Sequence, residues 1–472
     1  MIPFNKPFIA GKELYYIAQA VTMGNIAGDG HFTRACSRLL EERFGAGRVL
    51  LVPSGTAALE LAAMLCDLQP GDEVIMPSYT FVSTASAFVR CGARPVFVEI
   101  RPDTLNLDET RLEAAITPRS RAIVPVHYAG VGCQMDSILE IARRHHLLVV
   151  EDAAQAVGAF YRGRALGSLG HLGCYSFHET KNFTCGEGGA LCINDPRFLE
   201  RAEILRDKGT DRQKFFRGEV DKYTWVDLGS SFVISEICAA FLYGQLEHMD
   251  LITQRRRALW QRYWEELRPL EEEGLLRLPR IPEDCQSNWH IFYVLLPDEA
   301  SRNRMLEFLK QQGVHAVFHY VPLHTSPMGR RLAAGNGVSG ALAGRPDCRA
   351  RLRLDHRGHP RAGRIATAGP GRAGRIPWPG PPEPQPTPPI HRPANPATNH
   401  SAQSPDKNLT CALGATDRTH AEKAFSSGPD SAVALLSAMF RHPANAGPRP
   451  TGHDPLLAVR PGRTRAQRTI PV

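Results

Sequence analysis

A lysine beside a cluster of glycines is the first pattern in the sequence that could support chemistry. The segment SFHETKN (176–182) contains Lys181, and Gly186, Gly188 and Gly189 follow within a few residues. A lysine withdrawn from water loses its proton readily and becomes a nucleophile toward carbonyl carbons. Glycines allow a backbone to approach a ligand closely. A solvated surface lysine is the alternative, and the lysine alone does not decide between the two.

An acidic pair after an apolar stretch is the second pattern. Glu151 and Asp152 follow LLVV (147–150), so their carboxylates must find a cationic or hydrogen-bonding partner. One interpretation is that Asp152 caps a loop or the next helix. The other is that Asp152 stays ionised to hold a protonated ring nitrogen, with Gln155 adding a neutral hydrogen bond nearby.

A turn rich in hydroxyl groups is the third pattern. Ser54, Gly55 and Thr56 lie directly before a segment of alanine and leucine that predicts a helix. Free N–H groups at a helix start, together with the helix dipole, can bind phosphate without a basic side chain. Ordinary N-capping by Ser54 is the alternative.

These three patterns fit one cofactor when they are combined. A phosphate site, a carboxylate for a ring nitrogen and an imine-forming lysine are what pyridoxal 5′-phosphate (PLP) requires of a protein. The sequence therefore predicts that Lys181 carries PLP as a Schiff base.

An alternation of strands and helices must position these residues. Helical patterns separate the apolar runs, and in Met135–His146 the apolar residues recur on one helix face. Such alternation indicates an α/β fold with a mainly parallel sheet covered by helices, whose ligands bind at the carboxyl ends of the strands. The predicted strands are Val49–Val52, Glu73–Met76, Pro95–Val98, Ala122–Val126, Leu147–Val150 and the run Tyr175–Phe177.

Several ordered motifs give the sequence a family resemblance over residues 1–328. They include GDGHFT, PSGTAALE, SYTFVST, VPVHYAG, VVEDAAQA, SFHETKN, LGSSFVIS and FHYVPLH. In type and spacing they resemble the DegT/DnrJ/EryC1 sugar aminotransferases, which are PLP-dependent enzymes of fold type I. The resemblance implies a large PLP-binding domain at residues 1–250 and a smaller, incomplete C-terminal α/β domain at 251–330.

The resemblance also assigns site residues. It implies that Lys181 carries the imine link and moves the proton, that Asp152 pairs with the ring nitrogen, and that Gln155 meets the ring hydroxyl. The resemblance further implies that Gly55, Thr56 and Ser176 contact the phosphate and that Phe81 stacks on the ring. Ser231 stands where many members have an asparagine that reaches the phosphate bound by the neighbouring subunit. The candidate substrate contacts are Asp29, His127, Tyr320 and His324, with purely structural roles as the alternative.

The implied reaction is the transfer of an amino group from L-glutamate to a nucleotide-linked 4-keto-6-deoxy sugar. The expected substrate is dTDP-4-dehydro-6-deoxy-D-glucose and the product dTDP-4-amino-4,6-dideoxy-D-galactose, made by a homodimer. Two alternatives stay open: the substrate is another nucleotide sugar, or the chain is an inactive truncated or frameshifted homologue. A related PLP sugar dehydratase has histidine in place of the lysine, so Lys181 argues against that reaction.

Composition excludes several other classes. The 11 cysteines show no zinc-binding spacing, and no run of eighteen apolar residues or signal-peptide pattern occurs, so a cytoplasmic protein without metal or membrane attachment is expected. Residues 331–472 carry 18 arginines and 2 lysines against 8 acidic residues, and residues 1–330 a net charge of −4. The basic segment lacks interleaved aromatic residues, which argues against nucleic-acid binding.

The basic segment also ends the family resemblance. Residues 331–472 contain 21 of the 37 prolines and no apolar periodicity, a composition that predicts disorder. The excess of arginine over lysine favours a frameshift near residues 330–340 over a genuine extension. We therefore expect a chain of low stability and weak activity, sensitive to proteases beyond about residue 340.

Overall fold

The computed structural model describes residues 1–334. Nearly all of the predicted tail at 331–472 lies outside the described residues, and so does the frameshift hypothesis that concerns it. The helices are α1 (Glu13–Thr22), α2 (His31–Phe44), α3 (Gly55–Leu65), α4 (Val82–Arg90), α5 (Leu112–Ala115), α6 (Met135–Arg144), α7 (Leu199–Arg206), α8 (Arg212–Phe216), α9 (Glu236–Leu246), α10 (Met249–Glu272), α11 (Glu299–Gln311) and α12 (Pro327–Ala334). The strands are β1 (Arg48–Val52), β2 (Glu73–Pro77), β3 (Arg94–Val98), β4 (Ser120–Ile123), β5 (Leu148–Asp152), β6 (Phe160–Tyr161), β7 (Arg164–Ala165), β8 (Leu172–Ser176), β9 (Gly189–Ile193) and β10 (Cys285–Gln286).

A seven-stranded sheet in the order β1-β9-β8-β5-β4-β2-β3 is the centre of the fold. Strand β9 pairs antiparallel with both β1 and β8, and the other neighbouring pairs are parallel. The predicted α/β class with a mainly parallel sheet is therefore confirmed. The carboxyl ends of β1, β5 and β8 lie at one edge of the sheet, as the predicted ligand position requires.

Both faces of the sheet are covered, which explains why β1 is apolar at every position after Arg48. Val49 and Leu51 pack into one hydrophobic cluster, whereas Leu50 and Val52 pack into the other. Successive side chains of a strand point to opposite faces, so a strand buried on both sides has no polar position to spare.

Most predicted element bounds differ from the observed ones by a few residues, and two of the differences have a clear physical cause. Strand β4 ends at Ile123 rather than Val126, because Pro125 has no N–H to donate to a neighbouring strand. Helix α6 ends at Arg144 rather than His146, and His146 has a left-handed φ of 55° that a helix cannot accommodate. The apolar face predicted for α6 is buried at Met135, Ile138 and Ala142.

A third hydrophobic cluster lies in the last third of the described chain. Leu267 and Leu270 of α10 pack there with Met305 and Leu309 of α11. Phe292, Val294 and Leu296 are half-buried against this cluster, whereas Val317, Phe318 and Val321 are exposed. Because α10 runs across residue 250, the division into domains at 250 and 251 stays a prediction. No helix within residues 1–334 is long and apolar enough to span a membrane.

Candidate active site

Lys181 lies in the loop between β8 and β9, where its backbone N–H donates to the carbonyl of His178 at 2.9 Å. Its side chain is half-buried and faces a small cavity. Burial lowers the pKa of the Lys181 ammonium below its ordinary value, and the Asp152 carboxylate offsets this only in part. The cavity is lined by Ala154, Gln155, Val157, Ser176, Lys181, Asn182, Phe183, Asn288 and His290. A lysine whose pKa is lowered by its surroundings is prepared to act as a nucleophile.

Asp152 ends strand β5 and is only 5% exposed. Its Oδ2 accepts a hydrogen bond from the Thr84 hydroxyl at 2.7 Å, and its Oδ1 accepts one from the Ala154 N–H at 3.2 Å. Asp152 is thus a buried anion near Lys181, as the ring-nitrogen role requires.

Gln155 connects the cavity to an aromatic cluster. Its Oε1 accepts from the Ala129 N–H at 2.7 Å, and its Nε2 donates to the Tyr320 hydroxyl at 3.1 Å. The Tyr320 ring packs edge-on against Tyr79, with ring centroids 5.3 Å apart. The structure therefore brings the predicted residues Gln155 and Tyr320 together beside the lysine.

The start of α3 provides the surface predicted to bind phosphate. Ser54 caps the helix, because its Oγ accepts from the Ala57 N–H at 3.0 Å. A Cβ added at Gly55 would lie 2.8 Å from the Ser176 Cβ, so only glycine permits this approach of α3 to β8. Thr56 Oγ1 lies 2.8 Å from Ser83 Oγ. Capping and the phosphate role coexist here, since the Ser54 side chain uses only one of the free N–H groups.

These features pass a test of fit for PLP. The cavity offers a half-buried lysine of lowered pKa, a buried carboxylate lies close to that lysine, and a glycine at a helix start leaves room where a Cβ would clash with Ser176. When bound, PLP acts as an electron sink that allows a proton to leave the carbon beside an amino group. Lys181, Asp152, Gln155, Ser176, Gly55 and Thr56 are the residues that would hold it.

Two further cofactor predictions fall on exposed residues. Phe81 directly precedes α4 and is 58% exposed, and Ser231 is exposed beside Asp207, with which its backbone forms a bridge. Neither side chain lines the Lys181 cavity. Their roles in ring stacking and in the neighbouring subunit's phosphate site stay predictions.

Asp29 and His127 have partners within the protein. Asp29 Oδ1 accepts from Arg206 at 2.6 Å, and Arg206 is only 5% exposed, so Asp29 neutralises a buried cation. The His127 ring is fully buried, with Nε2 2.9 Å from Glu151 and Nδ1 accepting from the Cys133 N–H at 3.2 Å. This placement favours the structural alternative for both residues and argues against the substrate contact predicted for His127.

His324 lies with Tyr320 across the end of β2. Its Nδ1 is 2.6 Å from the Ser78 hydroxyl, and the Leu323 N–H donates to the Ser78 carbonyl at 2.9 Å. Burial lowers the pKa of His324 below its ordinary value, so the neutral ring is favoured. Its contact with a sugar nucleotide stays a prediction.

The sequence interpretation missed a polar network behind Lys181. Asn182 Nδ2 donates to the Asn288 carbonyl at 2.7 Å, and Asn182 Oδ1 lies 2.8 Å from Nδ1 of His290. Asn288 Nδ2 in turn donates to the Gln155 carbonyl at 2.9 Å. The polar residues Ser287, Asn288 and His290 directly before the apolar run IFYVLL could have indicated buried polar contacts. No spacing rule predicts that residues 182 and 288 meet.

Within residues 1–334 no group of three or more histidine, cysteine, aspartate or glutamate side chains is arranged to hold a metal ion.

Comparison with known proteins gives three instructive relatives. GDP-perosamine synthase from Caulobacter vibrioides is 37% identical over 339 residues, which cover 69% of this chain and 86% of that protein. The crystal structure of DesV from S. venezuelae, in complex with a ketimine intermediate, is 35% identical, covers 70% of this chain and 84% of that one, and has a TM-score of 0.62. The PLP form of the putative sugar aminotransferase Spr1654 from Streptococcus pneumoniae is 26% identical, covers 74% and 91%, and has a TM-score of 0.66.

A family match covers most of the described chain. It runs over residues 7–341 and so includes every site residue considered above. The half-buried lysine, its neighbouring carboxylate and the glycine at the start of α3 agree with PLP-dependent amino transfer. The chain belongs to the DegT/DnrJ/EryC1/StrS aminotransferase family, whose enzymes use PLP.

Proposed function

We propose that this chain transfers the amino group of L-glutamate to C4 of dTDP-4-dehydro-6-deoxy-D-glucose and so forms dTDP-4-amino-4,6-dideoxy-D-galactose. This is the reaction of the dTDP-4-amino-4,6-dideoxygalactose transaminase of enterobacterial common antigen synthesis. The observation that carries the proposal is the half-buried Lys181 of lowered pKa, which lines one cavity together with Ser176 and Gln155. The choice of sugar rests on the motif resemblance.

The residues of the site have distinct tasks in this proposal. The Nζ of Lys181 accepts a proton from the donor's α-carbon and later returns one to the sugar carbon. The Asp152 carboxylate keeps the ring nitrogen protonated, because an anion that is only 5% exposed strongly favours a cation beside it. Gln155, fixed by its bonds to Ala129 and Tyr320, is held in one orientation toward the ring hydroxyl.

A second candidate substrate is a GDP-linked 4-keto-6-deoxy sugar. The relative that favours it is GDP-perosamine synthase, which is 37% identical over 339 residues. Both candidates use the same lysine and the same carboxylate, so the residues around the cavity do not separate them.

Purified enzyme incubated with L-glutamate and a panel of nucleotide sugars will test the proposal. The panel contains dTDP-, UDP- and GDP-linked 4-keto-6-deoxyhexoses, and the 4-amino products are identified by mass and by NMR of the sugar ring. We expect kcat/KM to be highest for the dTDP sugar, with the amino group in the galacto configuration. A preference for the GDP sugar would transfer the proposal to the second candidate, and failure to aminate any 4-keto sugar would contradict both.

We further propose that the enzyme is a homodimer whose site is completed across the subunit interface. An exposed apolar patch close to Ser231 supports this, because Phe216, Trp225 and Leu228 are 62%, 73% and 71% exposed. Exposed patches of large apolar residues usually mark an interface.

Sedimentation of Trp225→Glu tests the dimer, since a charge in a dry interface is strongly unfavourable. We expect a monomer that has lost most of its activity. Leu259→Glu is the matched control, because Leu259 is 56% exposed outside the patch, on α10. A fully active monomer would contradict the proposal.

A further inference from the structure

The Asp152 carboxylate has few donors for a buried anion. Ala154 N–H serves Oδ1 at 3.2 Å and the Thr84 hydroxyl serves Oδ2 at 2.7 Å. The bond from Thr84 is the shorter of the two, and it comes from a different element, helix α4. The orientation of the carboxylate therefore depends on a side chain outside its own strand.

The direction of the hydrogen bonds at Thr84 is determined by chemistry. An ionised carboxylate can only accept, so the Thr84 hydroxyl must donate to Asp152. The oxygen of Thr84 is then free to accept from the hydroxyl of Thr80, which lies 2.8 Å away. Thr80 and Thr84 are 2% and 0% exposed, so water does not compete for these bonds. The result is an ordered relay from Thr80 through Thr84 to Asp152, in which each bond strengthens the next.

The same turn of α4 also reaches the start of α3. Ser83 Oγ lies 2.8 Å from Thr56 Oγ1, and Phe81, whose ring is predicted to stack on the cofactor, directly precedes the helix. The neighbouring side chains Thr84 and Ser83 thus contact Asp152, assigned to the ring nitrogen, and Thr56, assigned to the phosphate, respectively. A rigid turn fixes the spacing between these contacts.

We propose that Thr84 is a positioning residue for the reaction, and that its hydroxyl, held by Thr80, orients the Asp152 carboxylate toward the ring nitrogen of PLP. Thr84 touches neither substrate nor cofactor in this proposal and acts only through Asp152. The proposal rests on the role assigned to Asp152 and is independent of which sugar is the substrate.

Loss of the Thr84 hydroxyl has a spectroscopic consequence. A carboxylate that loses a donor binds a proton more strongly, so the ring nitrogen keeps less of its own positive charge. The link between Lys181 and the cofactor then becomes more basic, and the pH at which the visible absorption band changes moves upward. Lys181, Tyr320 and Cys174 are the titratable groups that interact with Asp152, and each of them is left in place by this substitution.

The test compares Thr84→Val, which keeps the shape, with Thr84→Ser, which keeps the hydroxyl, in the PLP-loaded full chain. For Thr84→Val we expect kcat with L-glutamate to fall about tenfold or more, with KM nearly unchanged, as for other residues that orient a reacting group. We also expect the pH midpoint of the visible band to rise by about half a unit or more. Thr84→Ser should keep both values close to those of the wild type.

Two controls separate positioning from general damage. Ser83→Ala removes the contact with Thr56 from the same turn, and it should weaken retention of PLP without moving the pH midpoint. If Thr84→Val does not fold, as judged by its melting temperature, Thr80→Val replaces it and should move the midpoint in the same direction by a smaller amount.

The outcomes are distinct from those for the proposed function. A folded Thr84→Val enzyme with the wild-type kcat and the wild-type pH midpoint overturns the proposal. If Thr84→Val does not fold, a Thr80→Val enzyme with an unchanged pH midpoint overturns it in the same way. If Asp152→Asn is also fully active, the assignment of Asp152 itself is wrong.

Discussion

Lys181→Ala should lose transamination almost completely, with kcat falling about ten-thousandfold because the nucleophile and the proton carrier are removed together. Lys181 is the single lysine among the described residues that line the cavity, so no neighbouring lysine there can take over as nucleophile. The half-reaction with L-glutamate, followed by the cofactor's absorbance in a stopped-flow instrument, measures this directly.

Borohydride reduction followed by peptide mapping gives an independent result. We expect the pyridoxyl group on the peptide that contains Lys181 and no covalent label in Lys181→Ala. Lys310→Ala is the matched control, because Lys310 is an exposed lysine on α11 and should leave kcat unchanged. A label on another lysine would show that the assignment is wrong.

Asp152→Asn should reduce kcat by about a thousandfold, equivalent to ~4 kcal/mol of transition-state stabilisation. The amide has nearly the same shape but no charge, so the ring nitrogen loses the anion that keeps it protonated. We expect the loss to appear in kcat with L-glutamate more than in KM, since the charge matters most while electrons move into the ring.

The matched variants for this position test charge and placement separately. Asp152→Glu restores the anion at the wrong distance and should recover only part of the activity. Asp250→Asn changes an aspartate whose side chain is 83% exposed, and its activity should equal that of the wild type. An Asp152→Asn enzyme within tenfold of the wild type, with an unchanged melting temperature, would contradict the ring-nitrogen role.

The fold and the centre of the site could be predicted because apolar strands and their carboxyl ends leave strong local signals. Glu151 and Asp152 follow four apolar residues, and Ser54, Gly55 and Thr56 directly follow β1 and Pro53. Glu151 and Asp152 are consecutive in a strand, so their side chains point to opposite faces. The Glu151 side chain faces His127 in the interior, and the Asp152 side chain faces the site.

The supporting contacts could not be predicted because they join common residue types across long stretches of chain. Thr84 meets Asp152 across 68 positions, and Asn182 meets Asn288 across 106. A threonine in a helix and an asparagine in a loop have many ordinary roles, and only packing in three dimensions selects these partners. The inward orientation of His127 has the same origin, since the buried Glu151 needs hydrogen-bond donors from its neighbours.

The reversed direction of β9 has an evolutionary consequence. Because Ser176 pairs with Gly189 in antiparallel register, residues 177–188 form a hairpin loop that leaves the sheet and returns to the same edge. The cost of closing a loop depends only weakly on its length, so substitutions and small insertions there need not disturb strand register. Selection can therefore alter the residue at position 181, and with it the reaction, while the scaffold is retained.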